Sequence, residues 1–208
     1  MKIRRSIFLP AFCAVAMTAT TAHAANVIVD GGFEGTLTTD GPPFVGFWEG
    51  FSASNATSEF GTTNPRSGSQ HLELRMNGFV NEFSGVLQDI VVSPGAEVTY
   101  SGWHLEMGTG GSIEIRIEWR DSVGNTEIAR TPNLTSTPGP DYEMFSLTET
   151  VPAGADTARI VYASQSFGGA SDAVVFVDDL TVNVVPEPSS TAIFSLGIVS
   201  LLLRRRRA

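Results

Sequence analysis

A strict alternation of apolar and charged side chains over residues 113–120 is the sequence feature that most constrains the fold. Successive side chains of a β-strand point to opposite faces, so a period of two predicts a strand with one buried and one polar face. The apolar face comprises Ile113, Ile115, Ile117 and Trp119. The charged face comprises Glu114, Arg116, Glu118 and Arg120. Such a strand belongs to a sheet that covers a core on one side.

The rest of the central region has the same character and contains no long segment with a helical period. Gly, Pro, Asn and Asp residues separate short apolar or alternating segments, which predicts about nine or ten strands joined by turns. This pattern favours an all-β class, an antiparallel β-sandwich with a two-layer jelly roll as its expected form. We predict strands at residues 72–76, 86–92, 98–107, 113–120, 127–130, 142–151, 159–164 and 174–184, and a long loop over 132–140.

The N-terminus has the three parts of a secretory signal. Basic residues Lys2, Arg4 and Arg5 precede an apolar run over 7–17, and Ala22-His23-Ala24 fits a small-residue cleavage site. We therefore expect a signal peptide at 1–24, a β-sandwich domain at 25–184 and a distinct tail at 185–208. The single cysteine, Cys13, lies in the signal, so the exported domain is expected to fold without a disulfide.

The tail also consists of three parts in order. Pro186-Glu187-Pro188 comes first, then a 12-residue apolar run at 192–203, then Arg204, Arg205, Arg206 and Arg207. The apolar run predicts a short hydrophobic helix, below the ~20 residues that span a bilayer comfortably. A plain C-terminal membrane anchor is the alternative interpretation.

This tail resembles the PEP-CTERM sorting tail of Gram-negative bacteria. The resemblance implies that an exosortase recognises it and cleaves near Pro186, Glu187 and Pro188, while the inner membrane holds it transiently. It also implies delivery to the cell surface or extracellular matrix, in association with exopolysaccharide and biofilm. The resemblance covers only the tail, so it predicts a destination and not an activity.

The net charge of the folded region is hidden by the basic termini. Between residues 25 and 184 the chain has six arginines, no lysine and 21 acidic residues, a formal charge of −15. A surface of this charge repels nucleic acid and anionic lipid, and we expect no nucleic-acid partner. It suits solubility outside the cell and the binding of divalent cations.

Several segments of the central region resemble the galactose-binding-like jelly rolls of carbohydrate-binding modules. The matches run in order along almost the whole domain, and each is weak alone. They are Asn26 to Glu34, Trp48, Ser67 to Leu74, Val86 to Ile90, Tyr100 to Trp103, and Asp178 to Val182. The resemblance implies non-catalytic carbohydrate binding and places the first and last strands side by side.

The resemblance also implies a structural Ca²⁺ held by Glu34, Asp178 and backbone carbonyls near Gly32 and Gly68. Carboxylates brought together repel one another unless a cation bridges them, and hard oxygen ligands suit Ca²⁺. The alternative is that Asp178 and Asp179 only cap loops and face solvent.

Sugar recognition needs aromatic faces for stacking and planar polar groups for hydroxyls. We take Trp48, Trp103 and Tyr142 as expected stacking residues, with Phe79, Phe83, Tyr100 and Phe167 as further available aromatic rings. The charged face of 113–120 could line a cleft, with Arg116 as a donor to hydroxyls. The default alternative for the charged face of 113–120 is a solvated surface with cross-strand ion pairs.

Catalysis is not expected. No nucleophile elbow, phosphate loop or serine triad signature is present, and His71 and His104 have no partner at zinc-ligand spacing. A structural or adhesive matrix protein without a sugar site, and a glycan-active enzyme, remain the alternatives.

Overall fold

The structure is a computed structural model that describes residues 24–109 and 111–186. Within these ranges it contains β-strands and turns but no helix, and therefore no helix able to cross a membrane. The strands are β1 Ala25–Asn26, β2 Glu49–Ser52, β3 Ala56–Gly61, β4 His71–Met76, β5 Phe83–Val91, β6 Glu97–Met107, β7 Ser112–Asp121, β8 Thr126–Arg130, β9 Leu134–Ser136, β10 Glu143–Thr150, β11 Thr157–Gln165 and β12 Val174–Val185.

The strands form two sheets. Sheet A has the order β10-β6-β12-β4-β3, with β1 paired to β12, and sheet B has the order β2-β5-β11-β7-β8, with β9 paired to β7. Every one of these strand pairs is antiparallel. The predicted all-β, antiparallel class is therefore confirmed. The first and last strands are neighbours, as the resemblance implied, because Ala25 pairs with Val184.

The core lies between the sheets and uses the predicted apolar face of β7. Ile113, Ile115 and Ile117 are fully buried, and Trp119 is nearly so. Facing them across the sandwich are Val98 and other apolar side chains of β4, β6 and β12. The alternation on β7 thus arises because one face of the strand packs in the core, where burial of apolar area is favourable.

The domain has twelve strands where about nine or ten were expected, and four of them lie outside the predicted ranges. The expected loop at 132–140 contains β9, and β1, β2 and β3 are the other three. β9 has three residues, and β3 has the sequence Ala-Thr-Ser-Glu-Phe-Gly, so neither carries a clear run of alternating apolar residues. The predicted signal peptide, except Ala24, and the predicted C-terminal hydrophobic helix lie outside the described residues.

The 62–70 loop, the connection between β3 and β4, covers part of the outer face of sheet A. Arg66 and Ser67 of this loop donate backbone N–H groups to Asp178 on β12. The Arg66 guanidinium also lies 3.8 Å above the ring of Trp103 on β6. His71 on β4 and Phe176 on β12 are also buried, with their ring centroids 4.3 Å apart.

Candidate functional site

The outer face of sheet B contains a cleft with a volume of about 300 Å³. Phenylalanine rings form its rim, two of them near the ends of β2 and β5 and one just after β11. Charged and amide side chains of β7, β8, β11 and the segment before β9 form its floor. The lining residues are Phe51, Phe83, Glu114, Arg116, Arg130, Asn133, Ala163, Gln165 and Phe167.

The floor of the cleft continues along sheet B as a chain of ion pairs, which we call the charge ladder. Arg116 contacts Glu114 at 3.1 Å and Glu118 at 2.9 Å. Arg120 contacts the other oxygen of Glu118 at 3.0 Å. The default expectation of a solvated face is corrected, because these side chains are at most 19% exposed. The pairs at Glu114, Arg116 and Glu118 run along one strand rather than across strands.

The ladder ends on β8. Arg130 donates from Nε and Nη2 to the two carboxylate oxygens of Glu127, at 2.6 and 2.7 Å, and Glu127 lies 3.7 Å from Arg120. The hydrogen bonds from Arg130 lower the pKa of Glu127, and Glu127 in turn raises the pKa of Arg130. Both groups are therefore firmly charged at neutral pH.

Amide groups complete the floor at its other end. Asn133 Nδ2 and Gln165 Nε2 both donate to Oε1 of Glu114, each at 2.6 Å. Glu114 therefore accepts hydrogen bonds from both amides and from Arg116. These contacts fix the orientation of the floor side chains, so the cleft presents a set of pre-oriented polar groups.

A second depression, of about 210 Å³, lies at the opposite end of the same face. It is lined by Phe44, Asp89 and Arg120 among others. Next to it Arg159 makes two hydrogen bonds to Asp89, at 2.7 and 2.9 Å, and lies 4.7 Å above the Phe44 ring. The arginines on this face are thus all paired with carboxylates.

Trp48 is placed in the core and not on a ligand-accessible surface. Its side chain is fully buried, its ring packs 5.3 Å from that of Phe33, and its Nε1–H donates to the Asp30 carbonyl at 2.8 Å. A buried indole with its N–H satisfied holds the N-terminal segment against the sandwich. It is not available to stack on a ligand.

Trp103 and Tyr142 lie close to the 62–70 loop, on the side of the molecule opposite Arg116. The Arg66 guanidinium covers one face of the Trp103 ring, and the Tyr142 hydroxyl donates to the Asn64 carbonyl at 2.9 Å. Burial raises the pKa of Tyr142 above its ordinary value. The expected ligand residues are therefore divided between the core, sheet A and sheet B.

Asp178 is buried and anchors the 62–70 loop. Its Oδ2 accepts hydrogen bonds from the backbone N–H groups of Arg66 at 2.8 Å and Ser67 at 3.1 Å, and Oδ1 accepts one from Asp179 at 2.7 Å. Burial raises the pKa of the Asp178 carboxyl, although these hydrogen bonds oppose the shift. Asp179 forms an ion pair with Arg66. Neither carboxylate faces solvent freely.

Glu34 holds the other end of the same loop. Its carboxylate accepts hydrogen bonds from the Ser69 N–H, the Ser69 hydroxyl and the Gln70 N–H, at 2.7, 2.6 and 3.0 Å. These bonds, led by that from the Ser69 hydroxyl, lower the pKa of Glu34. Gly68 is required beside it, because its φ is +61° and a Cβ there would lie 2.1 Å from Glu34 Oε1.

The oxygen atoms around the 62–70 loop are of the type that hard cations such as Ca²⁺ prefer as ligands. Glu34 and Asp178 supply carboxylates, and Gly32 adjoins Asp178, since a Cβ there would lie 4.0 Å from Asp178 Oδ1. Among residues 24–109 and 111–186, no three His, Cys, Asp or Glu side chains form a group able to hold a metal ion. Backbone carbonyls, such as those near Gly32 and Gly68, would have to complete a coordination shell.

Several cleft residues were not identified from the sequence, which named Arg116 as a donor to hydroxyls and counted Phe83 and Phe167 among the available aromatic rings. Phe51 lies on β2, a strand that was not predicted. Asn133 and Gln165 are far apart in sequence, yet both reach Glu114. Aromatic residues near strand ends are the one sequence signal that could have indicated the rim, because strand ends form the borders of a sheet face.

Two comparisons concern the sequence of the chain. A family model described as the PEP-CTERM protein-sorting motif matches residues 184–207. Of the described residues, it includes the end of β12 and Pro186. The motif indicates a protein that is exported and sorted to the cell envelope or surface. A comparison with curated protein sequences found no match.

Solved structures share the fold. An enzymatically active domain of the bacteriophage CBA120 tailspike protein 4 matches with TM-score 0.58 and 17% identity, over 77% of this chain and 21% of that one. The Fischerella sp. TAU cyclase Fisc matches with TM-score 0.55 and 16% identity, over 79% and 99%. A family 16 carbohydrate-binding module matches with TM-score 0.54 and 19% identity, over 76% and 99%.

Most of the similar structures are carbohydrate-binding modules with a jelly-roll β-sandwich fold. The identities are low, so these matches concern the fold and not the ligand. The expected jelly roll is confirmed. The chain thus carries a PEP-CTERM protein-sorting motif behind a domain with the jelly-roll fold that carbohydrate-binding modules share.

Proposed function

We propose that this protein is exported, sorted by an exosortase, and binds a polysaccharide without catalysing its turnover. The observation that carries the proposal is the cleft on sheet B, where three phenylalanines surround a floor of pre-oriented polar side chains. Aromatic rings stack on the apolar faces of sugar rings, and fixed donors and acceptors pair with hydroxyls. Arg116, at the centre of the floor, is the expected principal donor.

The sorting motif supplies the location in this proposal. An exosortase would meet Pro186, Glu187 and Pro188 while the apolar run at 192–203 and Arg204, Arg205, Arg206 and Arg207 hold the tail in the inner membrane. Processing would then deliver the domain to the surface or the exopolysaccharide matrix of a Gram-negative cell. A glycan-binding domain is suited to that matrix.

Binding of the full chain to immobilised polysaccharides tests the ligand. Arg116→Gln should weaken binding by about 10- to 100-fold, because a hydrogen bond to a charged group contributes about 1.5–3 kcal/mol. Arg75→Gln is the matched control, since Arg75 pairs with Glu73 on sheet A, away from the cleft. The proposal fails if the two variants bind alike, or if the wild type binds no polysaccharide.

The same preparations test the non-catalytic part of the proposal. The similar structures include an enzymatically active tailspike domain and a cyclase, so release of new reducing ends should be measured alongside binding. We expect none from any polysaccharide that binds. Turnover that Glu114→Gln abolishes would overturn the non-catalytic proposal and identify Glu114 as part of an active site.

We further propose a structural Ca²⁺ held by Glu34 and Asp178, with carbonyls near Gly32 and Gly68. Its support is that both carboxylates converge on the 62–70 loop. A bound cation stabilises the fold by about 2.7 kcal/mol at a hundred times its Kd. Chelation should therefore lower the melting temperature of the wild type, and restoring Ca²⁺ should recover it. An unchanged melting temperature would contradict the proposal.

A further inference from the structure

The arginines of the described chain are concentrated on one face. Of the six between residues 25 and 186, four lie on the outer face of sheet B, on β7, β8 and β11. They are Arg116, Arg120, Arg130 and Arg159. The domain as a whole is strongly acidic, so this face differs from the rest of the surface. Its charge balance bears directly on which ligand the cleft accepts.

Every guanidinium on this face is already paired with a carboxylate. Arg116 lies between Glu114 and Glu118, Arg130 is held by both oxygens of Glu127, and Arg159 is held by Asp89. Within the ladder, three arginines balance three glutamates, Glu114, Glu118 and Glu127. The charge ladder therefore carries full charges but no net charge.

A balanced ladder presents both kinds of hydrogen-bonding group to a ligand. Guanidinium N–H groups donate, and the remaining lone pairs of the glutamates accept. A hydroxyl both donates and accepts, so it can bond to either without disturbing an ion pair. A carboxylate on a ligand can only accept hydrogen bonds. Each guanidinium that it could approach on this face already has a glutamate or aspartate carboxylate next to it.

We propose that the cleft selects uncharged polysaccharides and rejects polyuronates. This inference rests on the proposed function and adds the ligand class. A uronate carboxylate would lie near Glu114 or Glu127 without an unpaired cation, in the field of a domain with a formal charge of −15. Like charges placed together across an interface are strongly unfavourable, so charge and not shape makes the discrimination.

The test compares two soluble probes, a neutral β-glucan and alginate, with the full chain at about physiological ionic strength, where exposed charges act over about 8 Å. We expect the wild type to bind the neutral glucan, or another neutral glycan such as xylan or galactan, at least about tenfold more tightly than alginate. Preference for alginate would overturn this inference and leave the proposed function standing. Binding to no glycan, neutral or acidic, would overturn both.

Two substitutions distinguish the effect of charge inside the ladder from the effect of the net charge of the domain on alginate binding. Glu127→Gln removes the charge that faces Arg130 and should raise the ratio of alginate affinity to neutral-glucan affinity at least about tenfold. Glu149→Gln makes the same change in net charge on exposed β10 of sheet A, away from the cleft, and should raise this ratio far less. Equal gains in the two variants would overturn the inference. Glu114→Gln, which frees one side of Arg116, provides a second test should Glu127→Gln fold poorly.

Discussion

The outer faces of the two sheets are formed by similar strands but differ in whether a loop covers them. On sheet A, the 62–70 loop crosses the face, so that Arg66 lies on Trp103 and Asp178 is buried. On sheet B, no comparable segment among the described residues covers the cleft, and its rim residue Phe167 is 57% exposed. The two faces show that alternation alone does not tell which polar face of a sandwich meets solvent.

Loop length explains the difference. The connection between β3 and β4 has nine residues, enough to fold back over β12 and β6. The connection between β7 and β8 has four residues and turns the chain directly. A short hairpin cannot cover the sheet it belongs to, so the ladder remains reachable by a ligand. The short β7–β8 connection therefore leaves this part of sheet B uncovered.

The largest expected effect is a loss of stability when the 62–70 loop is released from sheet A. Asp178→Ala removes the acceptor of three backbone N–H groups, at Arg66, Ser67 and Asp179, and should lower the free energy of unfolding by about 4 kcal/mol. Denaturant unfolding in a chelator measures this without any contribution from bound cation. Asp179→Ala, at a more exposed site, should cost under about 1 kcal/mol. Similar losses in both variants would show that Asp178 does not anchor the loop.

Acid should weaken the core of the sandwich through His104. Burial lowers the pKa of His104 to about 4, and its Nδ1 lies 2.7 Å from the Tyr162 hydroxyl. The unfolded chain then binds a proton that the fold excludes, so stability falls as the pH drops from about 6.5 towards 4, by up to about 3 kcal/mol.

Melting temperatures across this pH range check the effect of His104. His104→Gln should flatten the fall relative to the wild type. The lowered pKa of His71 acts in the same direction, whereas the raised pKa values of Glu106 and Asp178 oppose it. The comparison of wild type and variant isolates His104 from these groups. Parallel curves would contradict the assignment.

A smaller effect is expected on the sheet B face, and on binding only. Phe83→Ala removes a rim ring and should weaken polysaccharide binding by about tenfold, because an aromatic contact contributes about 1 kcal/mol beyond its buried area. Val91→Ala changes the same strand at a site that is 74% exposed and outside the cleft. Titration of both variants checks the result. Equal affinities would place the ligand elsewhere.

The smallest effect concerns the contact between Arg66 and Trp103. Arg66→Gln should cost under about 1 kcal/mol of stability, since cation–π contacts and surface ion pairs are each weak when exposed. Uncovering the Trp103 ring should shift the fluorescence emission towards red, because Trp48 and Trp119 stay buried. Polysaccharide binding should not change. A loss of binding would move the ligand site to sheet A.

The parts that sequence could predict are those with a local pattern. The alternation at 113–120 predicted β7 and its core face, and the resemblance predicted that β1 and β12 are neighbours. Both follow from period-two burial or from recurring motifs. The covering of sheet A by the 62–70 loop could not be predicted this way, because it depends on the path of the loop over β12 and β6 and not on the composition of the loop.

The resemblance motifs turn out to stabilise the fold around the N-terminal segment. Gln88 bonds to both the N–H and the C=O of Val29, and Trp48 donates to Asp30. Gly31 is required because a Cβ there would lie 2.0 Å from the Leu180 carbonyl oxygen. Trp48 was expected to bind ligand, but aromatic type alone does not distinguish a stacking platform from a core residue. The cleft, assembled from distant segments, carries no comparable motif.

The position of β12 has a mechanical consequence. This strand lies inside sheet A, bonded to β6 on one side and to β4 and β1 on the other, and the sorting tail continues directly from its end at Val185. The hydrogen bonds of an antiparallel sheet run perpendicular to the strands. A pull on the tail along β12 would therefore load the backbone hydrogen bonds on both sides of the strand together, in shear, rather than breaking them one at a time. The tail thus leaves the domain from a strand that is hydrogen-bonded on both sides.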